Sequence, residues 1–222
     1  MSEDDDLGLL WAWRSGDNRS GSAFFKRHAP AISRFFRNKL TSVDDAADLL
    51  QETFLALHRR LEGADRADLE MRTIRSYLYA IARHVLCGYL RKKYKRHSEE
   101  LDFSTVCVRE LAPIGMSTLM LQRRDLQIFV DALRAIPLDD QVILESKYFD
   151  SLSIREIADL LEVPETAIPG RLQRAKGRLR QQVERLAKQV PDITAPEPND
   201  DELDRWAGEI RKQMGWTGAQ DP

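Results

Sequence analysis

The stretch "SIREIADLLEVPETAIPGRLQRAKGRLR", residues 153–180, admits few folds. Ser153 followed three residues later by Glu156 is the reciprocal capping pattern that starts a helix. Ile157, Ala158 and Leu161 then recur at helical spacing and define one apolar face. Glu162-Val163-Pro164 breaks that run, and Ile168, Leu172, Ala175 and Leu179 start another. The small Ala158 lets the two helices cross closely. Two short helices joined by a tight turn form a helix-turn-helix, a unit whose second helix lies in the DNA major groove with its first turns near base edges.

Charge supports that reading once its distribution is considered. The 222-residue chain has a net charge of -2, but the sum is a cancellation. Met71–His97 holds eight Lys or Arg and no acid, and Arg171–Lys188 holds seven basic residues against Glu184 alone. Acid collects at Glu3–Asp6, between Asp44 and Glu70, and beyond Asp192. A polyanion responds to such stripes, not to the net figure. On the second stripe Arg171, Arg174, Lys176 and Arg178 lie on or near the outward side, within reach of phosphates or guanine edges; the alternative is a solvated basic face. The first stripe interleaves Tyr77, Tyr79, Tyr89 and Tyr94 with Arg72, Arg75, Arg83 and "RKKYKR". Stacking faces beside cations suit single-stranded nucleic acid, although some of these tyrosines must be core.

Helical periodicity runs through most of the chain and strand signals are few, so the expected fold is all-α: two small helical domains joined by a flexible linker, the second containing the helix-turn-helix. The first domain takes residues 1–97. Asp6 is expected to cap a first helix that stops near Gly16-Asp17, and Pro30 to kink or break a second. Ser42 begins a capping pattern ahead of "DLLQETFLALHRRL", and a long helix follows Glu70. Residues 98–117 lose periodicity and include Pro113 and Gly115, the composition of a linker. The second domain takes 118–190, with helices ending at Ile136, near Phe149, at Glu162 and near Gln189. The extension 191–222 is Pro-containing and acidic and ends in an amphipathic helix carrying Leu203, Trp206, Ile210 and Met214. That helix can fold back over a basic surface, bind a regulator, or be dispensable.

Other classes are disfavoured. The four His show no ligand spacing and no phosphate loop or nucleophile elbow occurs, so no catalytic site, metal or cofactor is expected. Cys87 and Cys107 are too few for a disulfide framework, no apolar run suits a membrane span, and the N-terminus is acidic; a cytoplasmic protein without membrane insertion is expected.

Taken together the motifs resemble the extracytoplasmic-function, or group four, sigma factors of bacterial RNA polymerase. "DAADLLQETFLAL" looks like their "DAEDLVQETFL" signature, "TIRSYLYAIARHVLCGYLRKK" like their promoter-melting helix, and the segment from Leu152 to Arg180 like their C-terminal helix-turn-helix. The resemblance covers about residues 7–188. It implies that Asp48, Leu49, Gln51, Glu52 and Phe54 dock on core RNA polymerase. By itself that patch reads as a solvated face. The resemblance further implies that Arg72, Arg75, Ser76, Tyr77, Arg83, His84, Arg91 and Lys92 handle the separated strand of the −10 element. It implies that Arg155, Thr166, Ala167, Pro169, Gly170, Arg171, Gln173, Arg174 and Lys176 read the −35 duplex. Promoter DNA, core polymerase and an anti-sigma factor or other regulator are the implied partners. A stand-alone helix-turn-helix regulator is the alternative, but it leaves the "DLLQETF" helix without work.

Three departures from the family pattern stand out: Ala47 for Glu, His84 for Asn, and Pro169-Gly170 for Lys followed by Ser. Taking Thr166 as the N-cap puts Pro169 in the first turn, where its missing N–H has no intrahelical partner to lose. What is lost is a cation and a hydroxyl at the DNA surface, which implies an altered −35 preference or a weaker contact.

Overall fold

A computed structural model of the chain describes residues 3–63, 73–94, 101–111, 121, 123–189 and 199–213. Among these residues the architecture is helical and no strand occurs; one isolated bridge joins Cys107 to Pro137. None of the described helices is long and apolar enough to cross a membrane.

The first helices are α1 (Glu3–Arg14), α2 (Asn18–Arg37) and α3 (Val43–Gly63). Asp6 is not a cap. It lies inside α1, where its carboxylate accepts from Arg27 and pairs with His28 Nε2 at 2.9 Å, tying α1 to α2. The cap in this region is Asp17, whose Oδ1 accepts from the Arg19 amide at 3.0 Å and starts α2. Gly16 precedes it at φ 96°, a conformation that costs glycine little. Gly21 is required for a different reason: a Cβ there would sit 2.5 Å from the Trp13 indole, so glycine lets α1 and α2 close together.

Pro30 does not break α2, which runs continuously to Arg37. Phe24, His28, Ala29, Ile32, Phe35 and Phe36 are buried on both sides of it, and their packing outweighs the roughly 3 kcal/mol an interior proline costs. Ser42 caps α3 as expected, its Oγ accepting from the Asp45 amide at 3.1 Å.

Helix α4 (Ile74–Tyr94) packs against α3 and completes the first core with Leu78, Tyr79, Ile81, Ala82, Leu86 and Leu90. The segment from Leu101 leads into the short α5 (Val108–Leu111), and it is packed, with Phe103 and Val108 buried. Then come α6 (Arg124–Arg134) and α7 (Leu138–Leu144), the latter running on as a π-helical turn, Glu145–Phe149. Helix α8 (Ile154–Leu161), a 3₁₀ turn (Glu165–Ala167), α9 (Ile168–Ala187) and α10 (Asp200–Gln213) complete the described chain.

Two apolar cores form, and they do not divide at the connecting segment. The first includes residues of α1–α4 together with Leu138, Val142, Ile143, Leu152, Ile157, Ala158, Leu160, Leu161 and Ile168 from the second half. The second joins α6, the π-helical turn, α9 and α10. Helix α8 thus lies directly on α4. Polar contacts cross the same seam: the Thr73 hydroxyl donates to Glu156 at 3.0 Å and Arg83 pairs with Asp139 at 2.6 Å. Buried ion pairs Arg34–Asp150 and Lys39–Glu145 also span it, and Arg134 donates to the carbonyl of Asn38 at 2.8 Å.

Candidate polymerase and promoter interfaces

On α3, Asp48, Gln51 and Glu52 are exposed and recur one turn apart, so they share a single outward face. Leu49 and Phe54 do not. They are 4% and 5% exposed and belong to the first core, where they support that face from beneath. The apolar side chain that does lie on it is Leu55, 56% exposed, one turn beyond Gln51 and Glu52. Sequence reading passed over Leu55; its place seven residues after Asp48 was the available signal.

The residues expected at the −10 strand fall into two groups. His84, Arg91 and Lys92 are exposed and share one stripe along the C-terminal part of α4. The Arg91 guanidinium lies 5.0 Å from the Phe103 ring. Arg75 and Tyr77 are half-buried, with Arg60 over the Tyr77 ring at 6.0 Å. Ser76 is buried, its hydroxyl donating to the Thr73 carbonyl at 2.9 Å, and Arg83 is committed to Asp139 at the seam. Arg72 lies outside the described residues.

The tyrosines differ sharply. Tyr79 is core, edge-on to Phe35 at 5.8 Å between ring centroids, and burial raises its pKa. The Tyr89 hydroxyl donates to Asp45, to which Lys93 also donates at 2.7 Å. Burial, then the Asp45 hydrogen bond, push the Tyr89 phenol up to about 12. Tyr89 therefore ties α4 to the start of α3.

The helix-turn-helix forms as its sequence dictates. Ser153 Oγ accepts from the Glu156 amide at 3.2 Å, and Glu156 Oε2 accepts from the Ser153 amide at 2.8 Å. Glu162 ends α8 in the left-handed region, φ 56°, its amide reaching the carbonyls of Ala158 and Asp159. Thr166 is not the cap of α9: it lies in the 3₁₀ turn, and Ala167 occupies the cap position without a side-chain hydrogen bond. Pro169 accordingly falls at the second helical position, where its missing N–H removes no intrahelical bond. Ile168, Ala175, Leu179 and Val183 are buried. Thr166, Pro169, Gly170, Gln173 and Arg174 are exposed and line one side; Ala167, Arg171 and Lys176 are half-buried, and Arg155 is exposed on α8.

Comparison with known proteins fits these elements. The family described as Sigma-70 region 2 matches residues 24–96, and Sigma-70, region 4 matches residues 126–179, together more than half of the chain. The chain is 28% identical over 178 residues to the ECF RNA polymerase sigma factor SigM of Mycobacterium tuberculosis H37Rv, covering 80% of this chain and 84% of that protein.

The chain belongs to the extracytoplasmic-function sigma factors.

A second relative of this sigma factor is the ECF RNA polymerase sigma-E factor of Escherichia coli K12, 25% identical over 197 residues, which covers 85% of this chain and all of that one. Two solved structures share its fold. CnrH, in complex with the cytosolic domain of CnrY, superposes with a TM-score of 0.59 at 19% identity over 82% of this chain and 98% of that chain. The sigma factor RpoE, in complex with the anti-sigma factor NepR from Bartonella quintana, gives 0.53 at 16% identity over 75% and 98%. Helix α10 of the sigma factor lies beyond residue 179, where the region 4 family match ends.

Proposed function

We propose that this sigma factor docks on core RNA polymerase through the α3 face of Asp48, Gln51, Glu52 and Leu55, and that it directs initiation at promoters with −10 and −35 elements. Residues 1–97 carry polymerase and −10 binding, 98–117 connect, and 118–190 carry −35 binding. The acids and amide on α3 offer charge and hydrogen bonds around one apolar contact, a composition suited to a polar helical partner. Helix α9 reads the −35 duplex. The observation that carries this reading is the row formed by Thr166 in the 3₁₀ turn and Pro169, Gly170, Gln173 and Arg174 on α9, exposed together after a capped helix and a tight turn.

The −10 strand is held by α4 once it is accessible. In this conformation Ser76 is buried and Arg83 is paired with Asp139 on α7, so α7 must leave α4 before Arg83 can meet DNA. His84, Arg91 and Lys92 stay open and supply a first electrostatic hold on the strand. Stacking on Tyr77 then stabilises unpaired bases and drives melting. The chain supplies no bond-making chemistry in this scheme; nucleotide addition belongs to the polymerase. The site of action is therefore the cytoplasm, and a regulator such as those seen with the solved relatives is a further candidate partner.

Abortive transcription by core polymerase on a promoter library tests the reading. Initiation should depend on the protein, fall with Asp48→Ala/Glu52→Ala, and lose upstream sequence preference with Arg174→Ala. Specific duplex binding without initiation by the cognate polymerase would instead identify a stand-alone regulator.

A further inference from the structure

Helix α10, the described part of the extension, is packed onto the second core. In α10, Leu203, Trp206, Ala207 and Ile210 are at most 1% exposed and belong to the second core. Trp206 packs on Phe129 at 4.4 Å between ring centroids, and Arg211 Nη1 donates to the carbonyls of Tyr148 and Phe149 at 3.1 and 2.9 Å. Glu209 pairs with Arg123. At the N-terminus Asn199 caps the helix, its Oδ1 accepting from the Glu202 amide at 2.9 Å. These contacts fix where the first residue of α10 must lie.

That residue is Asp200, and its Oδ1 is shared. It accepts from the Tyr148 hydroxyl at 2.6 Å and from Lys176 Nζ at 2.9 Å. Lys176 stands on α9 beside the exposed row that ends at Gln173 and Arg174. Asp201 and Asp204, also exposed, add acid to the same end of α10. An exposed ion pair contributes little to stability. Its effect on a polyanion is larger, because a cation already neutralised releases no counterion from DNA, and neighbouring carboxylates repel phosphate.

We propose that α10 is a built-in brake on duplex binding: its apolar face anchors the helix so that Asp200 withholds Lys176 from the DNA backbone. Displacing α10, or neutralising Asp200, frees that cation. The brake rests on the proposed −35 role of α9. Asp200 acts by positioning and pairing, since the core face of α10 is unaffected by its charge.

The test is anisotropy of a labelled random-sequence DNA duplex with the full chain across a salt series. Asp200→Asn keeps the Tyr148 hydrogen bond and should tighten binding by about three-fold or more, while steepening the dependence of log K on log salt by about 0.9, the contribution of one extra phosphate contact. On a Lys176→Ala background the same substitution should have no effect. An unchanged affinity and slope for Asp200→Asn, or equal tightening without Lys176, would overturn the brake. Arg174→Ala separates the two levels: if it binds duplex as the parent does, it is the −35 role of α9 that fails. Trp206→Ala, which unseats α10 from its core, should also tighten duplex binding while lowering the melting temperature; weaker binding by a still helical Trp206→Ala protein would count against the brake.

Discussion

The ammonium of Lys39 meets the carboxylate of Glu145 with both side chains sealed from solvent, across the seam where the two halves of the chain share a core. Gln141 Nε2 donates to the other Glu145 oxygen at 2.7 Å, and the Phe35 carbonyl accepts from Lys39 at 3.0 Å, so neither charge is left with a single partner. Burial pulls Lys39 below the usual lysine range, and Glu145 opposes that shift. Removing one partner strands the other: Glu145→Ala is expected to destabilise by about 3–5 kcal/mol, whereas Lys39→Met with Glu145→Leu should be close to neutral or stabilising. Chemical denaturation of the three proteins checks this. A mild effect of Glu145→Ala would show that water reaches the pair.

The two classes of residue on α3 should separate cleanly. Leu49→Ala and Phe54→Ala empty core volume and should cost about 2–5 kcal/mol, lowering activity through stability. Asp48→Ala, Glu52→Ala and Leu55→Ala should leave the melting temperature within about a degree or two, since exposed substitutions usually fall within about 0.5 kcal/mol, yet reduce polymerase binding. A pull-down with core polymerase beside a thermal melt distinguishes them. Loss of melting temperature in the second set would mean that its face is structural.

Gly170 offers a gain in stability. A Cβ there would meet only Arg174 Nη1 at 3.6 Å, an ordinary contact, and its φ is helical. Gly170→Ala should therefore stabilise by about 1 kcal/mol. Pro169→Lys with Gly170→Ser should in addition shift the preferred upstream sequence or tighten duplex binding, measured by selection from a randomised −35 library. An unchanged preference and affinity would remove these two residues from recognition.

Acid should loosen the packing of α1 on α2. Burial pushes the Asp6 carboxyl up, but the His28 hydrogen bond and charge, with those of Arg27, more than offset it, so Asp6 titrates below the usual aspartate range. Asp45 is likewise depressed by Lys93 and Tyr89, and Asp200 by Lys176 and Tyr148. A carboxylate with a depressed folded pKa contributes stability that is complete above about pH 5, a unit above the unfolded value, and is lost as pH falls through the folded value. Denaturation midpoints should hold from neutral pH to about pH 5 and then decline, with Asp6→Asn showing a shallower decline. An identical acid limb in that variant would contradict the assignment.

Much of this was legible because helices announce themselves locally. The Ser153–Glu156 box, the apolar spacing of α8 and α9, and the Ser42 cap are all interactions within a few residues, and each formed as read. Asp6 was misread because a carboxylate near a chain start has the same local signature whether it caps its own helix or pairs with the next. Leu49 and Phe54 were expected at the docking face only through the family resemblance, because spacing identifies an apolar face without saying what covers it. The seam was invisible for a different reason. Lys39 and Arg34 find their partners 106 and 116 residues away, and no local pattern encodes a lysine that will be fully buried. The anchoring of α10 was half legible: its apolar face could be read, but not the core it completes.

The seam between the two halves of the chain is part hydrocarbon and part charge, and both parts weaken on cooling. Burial of Ile157, Leu161 and Ile168 against the first core weakens on cooling, because apolar hydration becomes less unfavourable as water cools. The desolvation cost of Lys39, Glu145, Arg34 and Asp150 also grows as temperature falls. Cooling therefore takes stability from both parts of the seam at once, and the contacts that join the two halves are sensitive to cold.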